Sequence, residues 1–221
     1  MKKPLIIFGT GDIAQLAHYY FSSDSNYEVA AFTVDAAYIT MTEFCGLPVV
    51  PFEEATNRYS PETHELFVAL SYSKLNQVRR EKYLAAKAQG YRFARYVSPY
   101  ATILNNGQIG DNCFIFEDNT IQPFVTIGNN VTLWSGNHIG HHSTIHDHCF
   151  IASHVVISGG VTIGEACFIG VNVTLRDHIK VGERCILGAG TLLLTDAEPE
   201  GVYIGTATER SRVPSSKIKR I

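Results

Sequence analysis

The sequence predicts a protein of two parts, in which an N-terminal α/β unit is followed by a parallel β-helix. Two observations predict this arrangement. Aliphatic residues recur at every sixth position from Ile103 to Leu193, and a strand, a glycine-rich turn and a helix follow one another at the start of the chain. A fixed period of this kind indicates a solenoid whose repeats pack on their neighbours. We place the α/β unit at residues 1–98, the β-helix at residues 99–195 and a C-terminal tail at residues 196–221.

Composition restricts the class of function. The 221 residues include 18 Lys and Arg and 21 Asp and Glu, which gives a net charge of −3. This balance does not favour nucleic acid or an anionic membrane as a partner. No apolar run reaches the length of about 20 residues that a membrane span needs, and the apolar run after Lys2 and Lys3 is too short for a signal peptide. Because the five cysteines also lack a CxxC pair, we expect a cytoplasmic protein with reduced thiols.

A glycine-rich turn lies between the first predicted strand and the first predicted helix. Residues 5–8 are apolar, residues 9–14 read GTGDIA, and residues 15–21 have helical spacing. Glycines at such a turn allow backbone N–H groups to approach a diphosphate, and the helix N-terminus adds a favourable dipole. Asp35 ends the second predicted strand, where a carboxylate would contact a ribose or base. A tight turn that binds no ligand is the alternative interpretation.

The N-terminal unit contains too few elements for a dinucleotide. A third strand is predicted at residues 65–70, a helix at 74–89 and a short last strand at 92–97. These elements make one mononucleotide-binding half, whereas a dinucleotide normally spans two. We therefore predict a Rossmann-like unit that binds a mononucleotide-type ligand, such as a nucleotide sugar, rather than NAD.

The six-residue repeat is interpreted as a series of short strands joined at sharp turns. Sixteen aliphatic positions follow one another at this interval, and a small or apolar residue stands two positions before most of them. Residues two apart on a strand share a face, so both are expected to point inward. Glycine often follows the aliphatic residue, where we expect it to permit the turn into the next face. Three such strands would make one coil of a triangular prism, and the repeat region would contain about five coils.

The cysteines follow the same geometry. Cys149, Cys167 and Cys185 are 18 residues apart, which is one predicted coil, and Cys113 lies two coils earlier. We expect them to stack in the interior as small hydrophobic residues, and not to act as metal ligands or disulfide partners.

A cluster of histidines is the candidate for chemistry. Five of the nine histidines fall within residues 134–148. His141 and His142 are predicted at a corner of the prism, pointing outward, and the Gly159–Gly160 pair is predicted to stack on them one coil later. Imidazole suits a base that works near neutral pH, and backbone N–H groups at the glycines would stabilise an oxyanion. The other histidines of this region, His138, His146, His148 and His154, are predicted to be surface side chains.

Along residues 101–194 this pattern resembles the hexapeptide-repeat acyltransferases. The resemblance implies a left-handed β-helix, a homotrimer and an acyl-CoA site in the groove between neighbouring prisms. With the α/β unit included, the chain resembles bacterial N-acetyltransferases that modify nucleotide-linked 4-amino-4,6-dideoxysugars, such as the precursors of perosamine, viosamine and bacillosamine. Sialic-acid O-acetyltransferases share this layout. The implied reaction is transfer from acetyl-CoA to the sugar's C4 amine in surface-glycan biosynthesis, without a metal.

The resemblance also implies roles for individual residues. His141 matches the general base, which takes a proton from the amine. The expected contacts to the nucleotide sugar are made by Gly11, Asp12, Ile13, Asp35, Ser71 and Tyr72. The expected contacts to acetyl-CoA are made by Gly159, Val171 and Ala189.

The sequence departs from the family pattern in two places. Some relatives have a carboxylate directly after the base, where this chain has His142, so support of the base is expected from His142 or from Asp147. A G-x-P-A turn is frequent near the C-terminus of the family, whereas residues 205–208 read GTAT. The basic residues of the tail would either neutralise the phosphates of CoA or remain solvated; they are Arg210, Arg212, Lys217, Lys219 and Arg220.

Two alternative functions stay open. O-acetylation of a sugar or of sialic acid is the nearer one. A metal-dependent lyase is the more distant one, together with a non-catalytic binding scaffold, because γ-class carbonic anhydrases have the same prism with histidine ligands. His141 and His146 have the spacing of such a pair, but Asn105 or Asn106 stands where the further histidine is required. The sequence therefore predicts no metal site.

Overall fold

A computed structural model describes residues 2–207, 210 and 212–217 of the chain. Within these residues no helix has the length and apolar character that crossing a membrane would require. Of the basic residues in the tail, Arg210, Arg212 and Lys217 are exposed. Lys219 and Arg220 lie outside the described residues, as does Thr208.

The N-terminal unit is a six-stranded sheet with flanking helices. Its elements are β1 (Lys3–Phe8), α1 (Asp12–Asp24), β2 (Tyr27–Val34), β3 (Glu43–Phe44), β4 (Leu47–Pro51), α2 (Ala55–Arg58), β5 (Glu65–Val68), α3 (Gln77–Ala88) and β6 (Arg92–Phe93). Short 3₁₀ turns lie at Ala36–Tyr38 and Phe52–Glu54, and a third lies in the tail at Ser215–Lys217. The strand order is β3-β4-β2-β1-β5-β6, and only the β3–β4 pair is antiparallel.

The order of the strands creates a ligand-binding edge. The chain moves from β1 to β2 on one side, and β5 then pairs with the other side of β1. The carboxyl ends of β1 and β5 therefore flank a topological switch point, which is where open α/β sheets bind their ligands. The first helix and the second strand lie where the sequence predicts them, whereas the β3–β4 hairpin and α2 were not predicted.

One predicted strand is in fact two strands in different sheets. Arg92–Phe93 pairs with β5, but Tyr96–Val97 pairs with Phe114–Ile115 of the repeat region. The Tyr96 ring is buried between the two units, where it contacts the rings of Tyr20 and Phe114. The chain changes sheets at this point because Tyr96 is anchored in the contact between the units.

The repeat region forms a prism with three parallel sheets, named here by one residue each. The Ile121 face consists of Thr102–Ile103, Thr120–Ile121, His138–Ile139, Val156–Ile157, Thr174–Leu175 and Leu192–Leu193. The Ile127 face consists of Thr126–Ile127, Thr144–Ile145, Thr162–Ile163 and Lys180–Val181, with single bridges to Ile109 and Ala197. The Phe150 face consists of Tyr96–Val97, Phe114–Ile115, Thr132–Leu133, Phe150–Ile151, Phe168–Ile169, Ile186–Leu187 and Val202–Tyr203.

The core of the prism confirms the predicted inward positions. From Ile115 to Leu193 the aliphatic residues of the repeat are buried, and from Ile121 to Leu187 they are at most 2% exposed. Cys149 and Cys167 are fully buried, and their thiols donate to the carbonyl oxygens of Gly164 and Gly182 at 3.1 Å. The cysteines therefore form the predicted interior column.

The glycines that follow the aliphatic residues are required for a reason other than the predicted turn. Gly140 does not adopt a left-handed conformation; instead, a Cβ there would lie 2.5 Å from the carbonyl carbon of Ser158 and 2.6 Å from the nitrogen of Gly159. Glycine at this position therefore allows adjacent coils to approach each other. The left-handed conformation occurs two positions later in each repeat, for example at Asn130 and His142, because asparagine and histidine tolerate it better than most side chains.

The N-terminal unit covers one face of the prism. Phe114 and Phe116 of the Phe150 face lie in the same buried cluster as Phe21 of α1 and Phe67 of β5. The outward residues of the Ile121 face remain accessible, and Leu192 is 63% exposed there. Two faces of the prism are therefore available for other contacts.

His148 is buried, which contradicts its prediction as a surface side chain. Only 4% of the residue is exposed, and its Nδ1 lies 2.9 Å from Nδ2 of Asn130. Burial lowers the pKa of His148 to about 4. Nothing in the sequence indicates this burial, because His148 occupies an outward corner position that the N-terminal unit covers only in the folded protein.

We expect His148→Asn to reduce the loss of stability in acid. The unfolded chain binds a proton at this histidine near about pH 6.5, whereas the folded chain does so only near about 4. Between these values the unfolded state binds more protons, so the free energy of unfolding falls as the pH falls. Asn keeps the left-handed conformation and does not titrate. Urea unfolding at neutral pH and at about pH 4.5 measures the difference.

The control for this experiment is His178→Asn, which changes an exposed histidine at an equivalent left-handed corner. It should lose as much stability in acid as the wild type. An equal loss in the His148→Asn variant would contradict the account of a neutral, buried His148.

Candidate functional site

A cleft lies at the switch point of the N-terminal sheet. It is lined by Gly11, Asp12, Ile13, Ala69, Leu70, Ser71 and Tyr72. Gly9 brings the two sides together, since it has a φ of 127° and a Cβ there would lie 2.7 Å from the Ala69 carbonyl oxygen. Helix α1 begins at the cleft, and no side chain caps its first turn. Its free N–H groups and its dipole suit a phosphate.

The structure thus brings together five of the six residues predicted to contact a nucleotide sugar. The sixth, Asp35, follows β2 and forms an ion pair with Lys82 of α3, in which Nζ lies 2.6 Å from Oδ2. Lys82 was not predicted, because nothing in the sequence connects residues that are 47 positions apart. A ligand that contacts Asp35 would therefore meet a carboxylate that is already paired.

His141 lies at the corner between the Ile121 and Ile127 faces, which we name the His141 corner (residues 140–142, 158–160 and 176–178). Its backbone N–H donates to Oε1 of Gln122 at 2.8 Å, and its exposed ring lies over Gly159. A Cβ on Gly159 would be 2.6 Å from Cε1 of His141. The absence of a side chain at Gly159 therefore creates the space that the imidazole occupies.

The neighbouring His142 contacts the His141 ring directly. The two Nδ1 atoms are 3.0 Å apart, and the ring of His142 packs on Phe124 with centroids 4.6 Å apart. One of the two nitrogens must carry the proton of this hydrogen bond. If His141 carries it, its Nε2 is left as an acceptor, which is the form that a base requires.

The two predicted oxyanion donors differ. The N–H of Gly160 donates to the carbonyl oxygen of His141 at 2.8 Å, so it is occupied. In the described part of the chain, the N–H of Gly159 makes no hydrogen bond. Only Gly159 is therefore free to donate to a developing negative charge.

Asp147 does not contact the histidine pair. Its two carboxylate oxygens accept from the backbone and side-chain N–H groups of Asn129, at 2.8 and 3.2 Å. These residues belong to the corner between the Ile127 and Phe150 faces. Among the described residues, no three His, Cys, Asp or Glu side chains form a group that could hold a metal ion.

The residues predicted to contact acetyl-CoA lie at two different corners. Gly159 is at the His141 corner, whereas Val171 and Ala189 are at the corner between the Phe150 and Ile121 faces, which we name the Val171 corner (residues 134–136, 152–154, 170–172 and 188–190). The full width of the Ile121 face separates them. A single copy of the chain therefore does not bring these three residues together.

An aromatic pocket lies at the Val171 corner and was missed in the sequence. Its rings belong to Tyr72, Trp134, Phe150 and Phe168, and Val171 and Ala189 also line it. The Tyr72 ring lies 4.7 Å from that of Phe168 and 5.0 Å from that of Phe150. Since Tyr72 also lines the switch-point cleft, the two cavities meet at this residue. The signal was present as outward aromatic residues at 150 and 168, which are 18 positions apart, with a third at 114, two coils earlier.

Comparisons with known proteins agree with the repeat architecture and the fold. Residues 106–141, 124–159 and 160–195 match the family described as bacterial transferase hexapeptide (six repeats). No curated protein sequence matches the chain.

Solved structures match over nearly the whole chain. The acetyltransferase domain of PglB from Neisseria gonorrhoeae FA1090 has a TM-score of 0.79 at 23% identity, over 89% of this chain and 93% of that one. PerB from Caulobacter crescentus, in complex with CoA and GDP-perosamine, has a TM-score of 0.81 at 23% identity, over 91% and 94%. WeeI from Acinetobacter baumannii AYE has a TM-score of 0.78 at 17% identity, over 92% and 97%.

These likenesses confirm the predicted fold, an α/β unit followed by a left-handed parallel β-helix. Residues 106–195 carry the repeat of the bacterial hexapeptide transferase family.

Proposed function

We propose that the protein is an acetyl-CoA-dependent N-acetyltransferase that acts on the C4 amine of a nucleotide-linked 4-amino-4,6-dideoxysugar in bacterial surface-glycan biosynthesis. The observation that carries the proposal is the outward His141 ring over Gly159, whose N–H is free within the described structure. Support for the substrate comes from the switch-point cleft and from the shared fold with PerB, which is known in complex with CoA and GDP-perosamine. A cytoplasmic location goes with this proposal, since the five cysteines are free thiols.

The reaction is proposed to proceed by direct attack. The sugar's amine nitrogen attacks the thioester carbonyl carbon, and Nε2 of His141 accepts the proton that the amine loses. The oxygen of the tetrahedral intermediate accepts a hydrogen bond from the N–H of Gly159. When the intermediate collapses, the C–S bond breaks and the departing thiolate of CoA takes the proton from His141. His142 supports the base by accepting a hydrogen bond from Nδ1–H of His141, in place of a carboxylate.

A homotrimer is part of this proposal. Gly159 lies on one side of the Ile121 face and Val171 on the other, so one acetyl-CoA molecule contacts both only if it lies between two copies. The accessible Val156 and Leu192 of this face are 41% and 63% exposed and would be buried in such an assembly. Closed cyclic packing of three prisms places the His141 corner of each copy against the Val171 corner of the next.

The proposed substrate is tested by measuring CoA release from acetyl-CoA with a panel of dTDP-, UDP- and GDP-linked 4-amino sugars. Turnover should require the 4-amino group, and the 4-hydroxy sugars serve as the matched control. Turnover of the hydroxy sugars, or of free sialic acid instead, would favour O-acetylation. CoA release that no sugar increases would contradict transfer to a sugar.

We expect His141→Ala to lose about 10²–10⁴-fold in kcat, the usual contribution of a positioned general base. The KM values should change little, because a base acts in the transition state. His142→Asn is the matched comparison: it keeps the left-handed conformation and an acceptor for the Nδ1 proton, and should lose far less. A His141→Ala enzyme that keeps more than about a tenth of the kcat would contradict the proposed base.

We expect Asp35→Ala to raise the KM of the nucleotide sugar and to leave the KM of acetyl-CoA nearly unchanged. The reason is that Asp35 follows β2 of the N-terminal unit, whereas the residues expected to contact acetyl-CoA belong to the prism. Lys82→Met is the control, since it removes the ion pair of 2.6 Å but keeps the carboxylate. Equal changes in both KM values, or the same effect from Lys82→Met, would show that Asp35 does not contact the nucleotide.

We expect light scattering to give three times the chain mass of 24.4 kDa. Val156→Asp places a charge on the Ile121 face and should yield an inactive monomer, because a buried unpaired carboxylate is costly. Leu84→Asp is the control, since Leu84 is exposed to a similar extent, 47%, but lies on α3. A monomeric wild-type protein with full activity would contradict the two-copy site.

A further inference from the structure

We propose that Arg79 is a positioning residue, which fixes the Tyr72 loop (residues 71–76) on the prism and so holds the nucleotide-sugar site in place. The inference deepens the proposed function and rests on it. Arg79 belongs to α3 of the N-terminal unit, yet its guanidinium donates mainly to groups of the prism.

The Tyr72 loop ends in an unusual turn. Lys74, Leu75 and Asn76 have φ values of 49°, 52° and 65°, so three consecutive residues other than glycine are left-handed. Such residues are strained and need support from their surroundings. The N–H of Asn76 donates to the carbonyl oxygen of Tyr72 at 3.1 Å, which closes the turn and couples the backbone of Tyr72 to Asn76.

The side chain of Asn76 fastens this turn to the prism. It is fully buried, and its Nδ2 donates to the carbonyl oxygens of Ala166 and Cys167 at 3.2 and 3.1 Å. Its Oδ1 accepts from Nη2 of Arg79 at 2.9 Å. Both the nitrogen and the oxygen of the Asn76 amide therefore make hydrogen bonds that hold the left-handed turn in place, and Arg79 is the donor to the oxygen.

Arg79 is a buried cation without an ion-pair partner. Only 1% of the residue is exposed, and burial lowers its pKa to about 10. None of the ion pairs among the described residues includes it. Its Nη atoms donate to carbonyl oxygens of the prism at 2.5–3.2 Å, those of Asn130, His148 and Cys149. These acceptors come from two successive coils, so one side chain fixes α3 to both.

The same guanidinium reaches the aromatic pocket. Its carbon lies 5.9 Å from the centre of the Phe150 ring, and the Phe150 ring contacts that of Tyr72 at 5.0 Å. Arg79 therefore acts on Tyr72 from two sides, through the Asn76 turn and through the Phe150 ring. A residue that only stabilised the contact between the units would not need two separate sets of contacts that both lead to this loop.

The test compares three variants and has two independent readouts. Arg79→Met removes the guanidinium. Asn76→Gly keeps the left-handed turn, which glycine adopts freely, and removes only the amide bonds. Arg80→Met is the matched control, since Arg80 also connects α3 to the prism, but through an exposed ion pair with Glu165 at 3.1 Å. The first readout is kcat with the KM values of both substrates. The second is acrylamide quenching of Trp134, which is the single tryptophan of the chain and lines the aromatic pocket.

We expect Arg79→Met to lower kcat/KM for the nucleotide sugar by about 10–100-fold, the scale expected when a binding group is displaced. The KM of acetyl-CoA should change less than that of the nucleotide sugar, because Val171 and Ala189 belong to the prism and keep their places. Quenching of Trp134 should increase because Tyr72 no longer closes the pocket that both rings line. Asn76→Gly should change the same quantities in the same direction. Arg80→Met should leave both the kinetic constants and the quenching of Trp134 unchanged.

Two results would overturn the inference. The first is a wild-type KM for the nucleotide sugar together with wild-type quenching in both Arg79→Met and Asn76→Gly. The second is a lower melting temperature with equal losses for both substrates and unchanged quenching, which would indicate a merely structural role. If the wild type does not use nucleotide sugars at all, the proposed function fails, while the quenching measurement still tests the position of the loop.

Discussion

The structure depends on one constraint, which is that every six residues the chain must bury a pair of side chains and then turn a corner. The inward residues, such as Ile139 and Ile157, stack at 18-residue intervals because each coil pairs in parallel with the next. This spacing determines where every outward residue lies. It places His141 directly over Gly159, and it places Val171 and Ala189 together at a different corner. The residues of the proposed site therefore occupy positions that the repeat determines.

The second determinant of the structure is the face of the prism that the N-terminal unit covers. Its contact with the Phe150 face combines aromatic packing with buried polar groups. Asn112, for example, pairs with both backbone groups of Val68 at 2.7 and 3.3 Å, at the end of β5. A buried polar group is costly unless its hydrogen-bond partner is in place, so these contacts fix the orientation of the unit more sharply than apolar packing alone. The result is that the switch-point cleft opens toward the Val171 corner, while the other two faces stay accessible.

The sequence predicts the periodic part of this molecule well and the contact between the units poorly. The inward positions, the cysteine column and the outward His141 follow from the period of six, which is a local property of the chain. The burial of His148, the ion pair of Lys82 with Asp35 and the aromatic pocket around Trp134 depend on residues far apart in sequence. The role of the glycines differs from the predicted one because the sequence does not reveal how closely two coils approach. Similarly, Asp147 lies close to the histidines in sequence but at a different corner.

The central claim is that the base of one copy works with the pocket of the next. The most direct measurement mixes two inactive variants, His141→Ala and Val171→Arg, under conditions that exchange subunits. Each mixed site with an intact His141 corner and an intact Val171 corner should be active, which restores about a quarter of the wild-type activity in an equal mixture of a cyclic trimer. No recovery in mixtures that demonstrably contain both variants in one assembly would contradict the claim, because it would place the base and the pocket in the same copy.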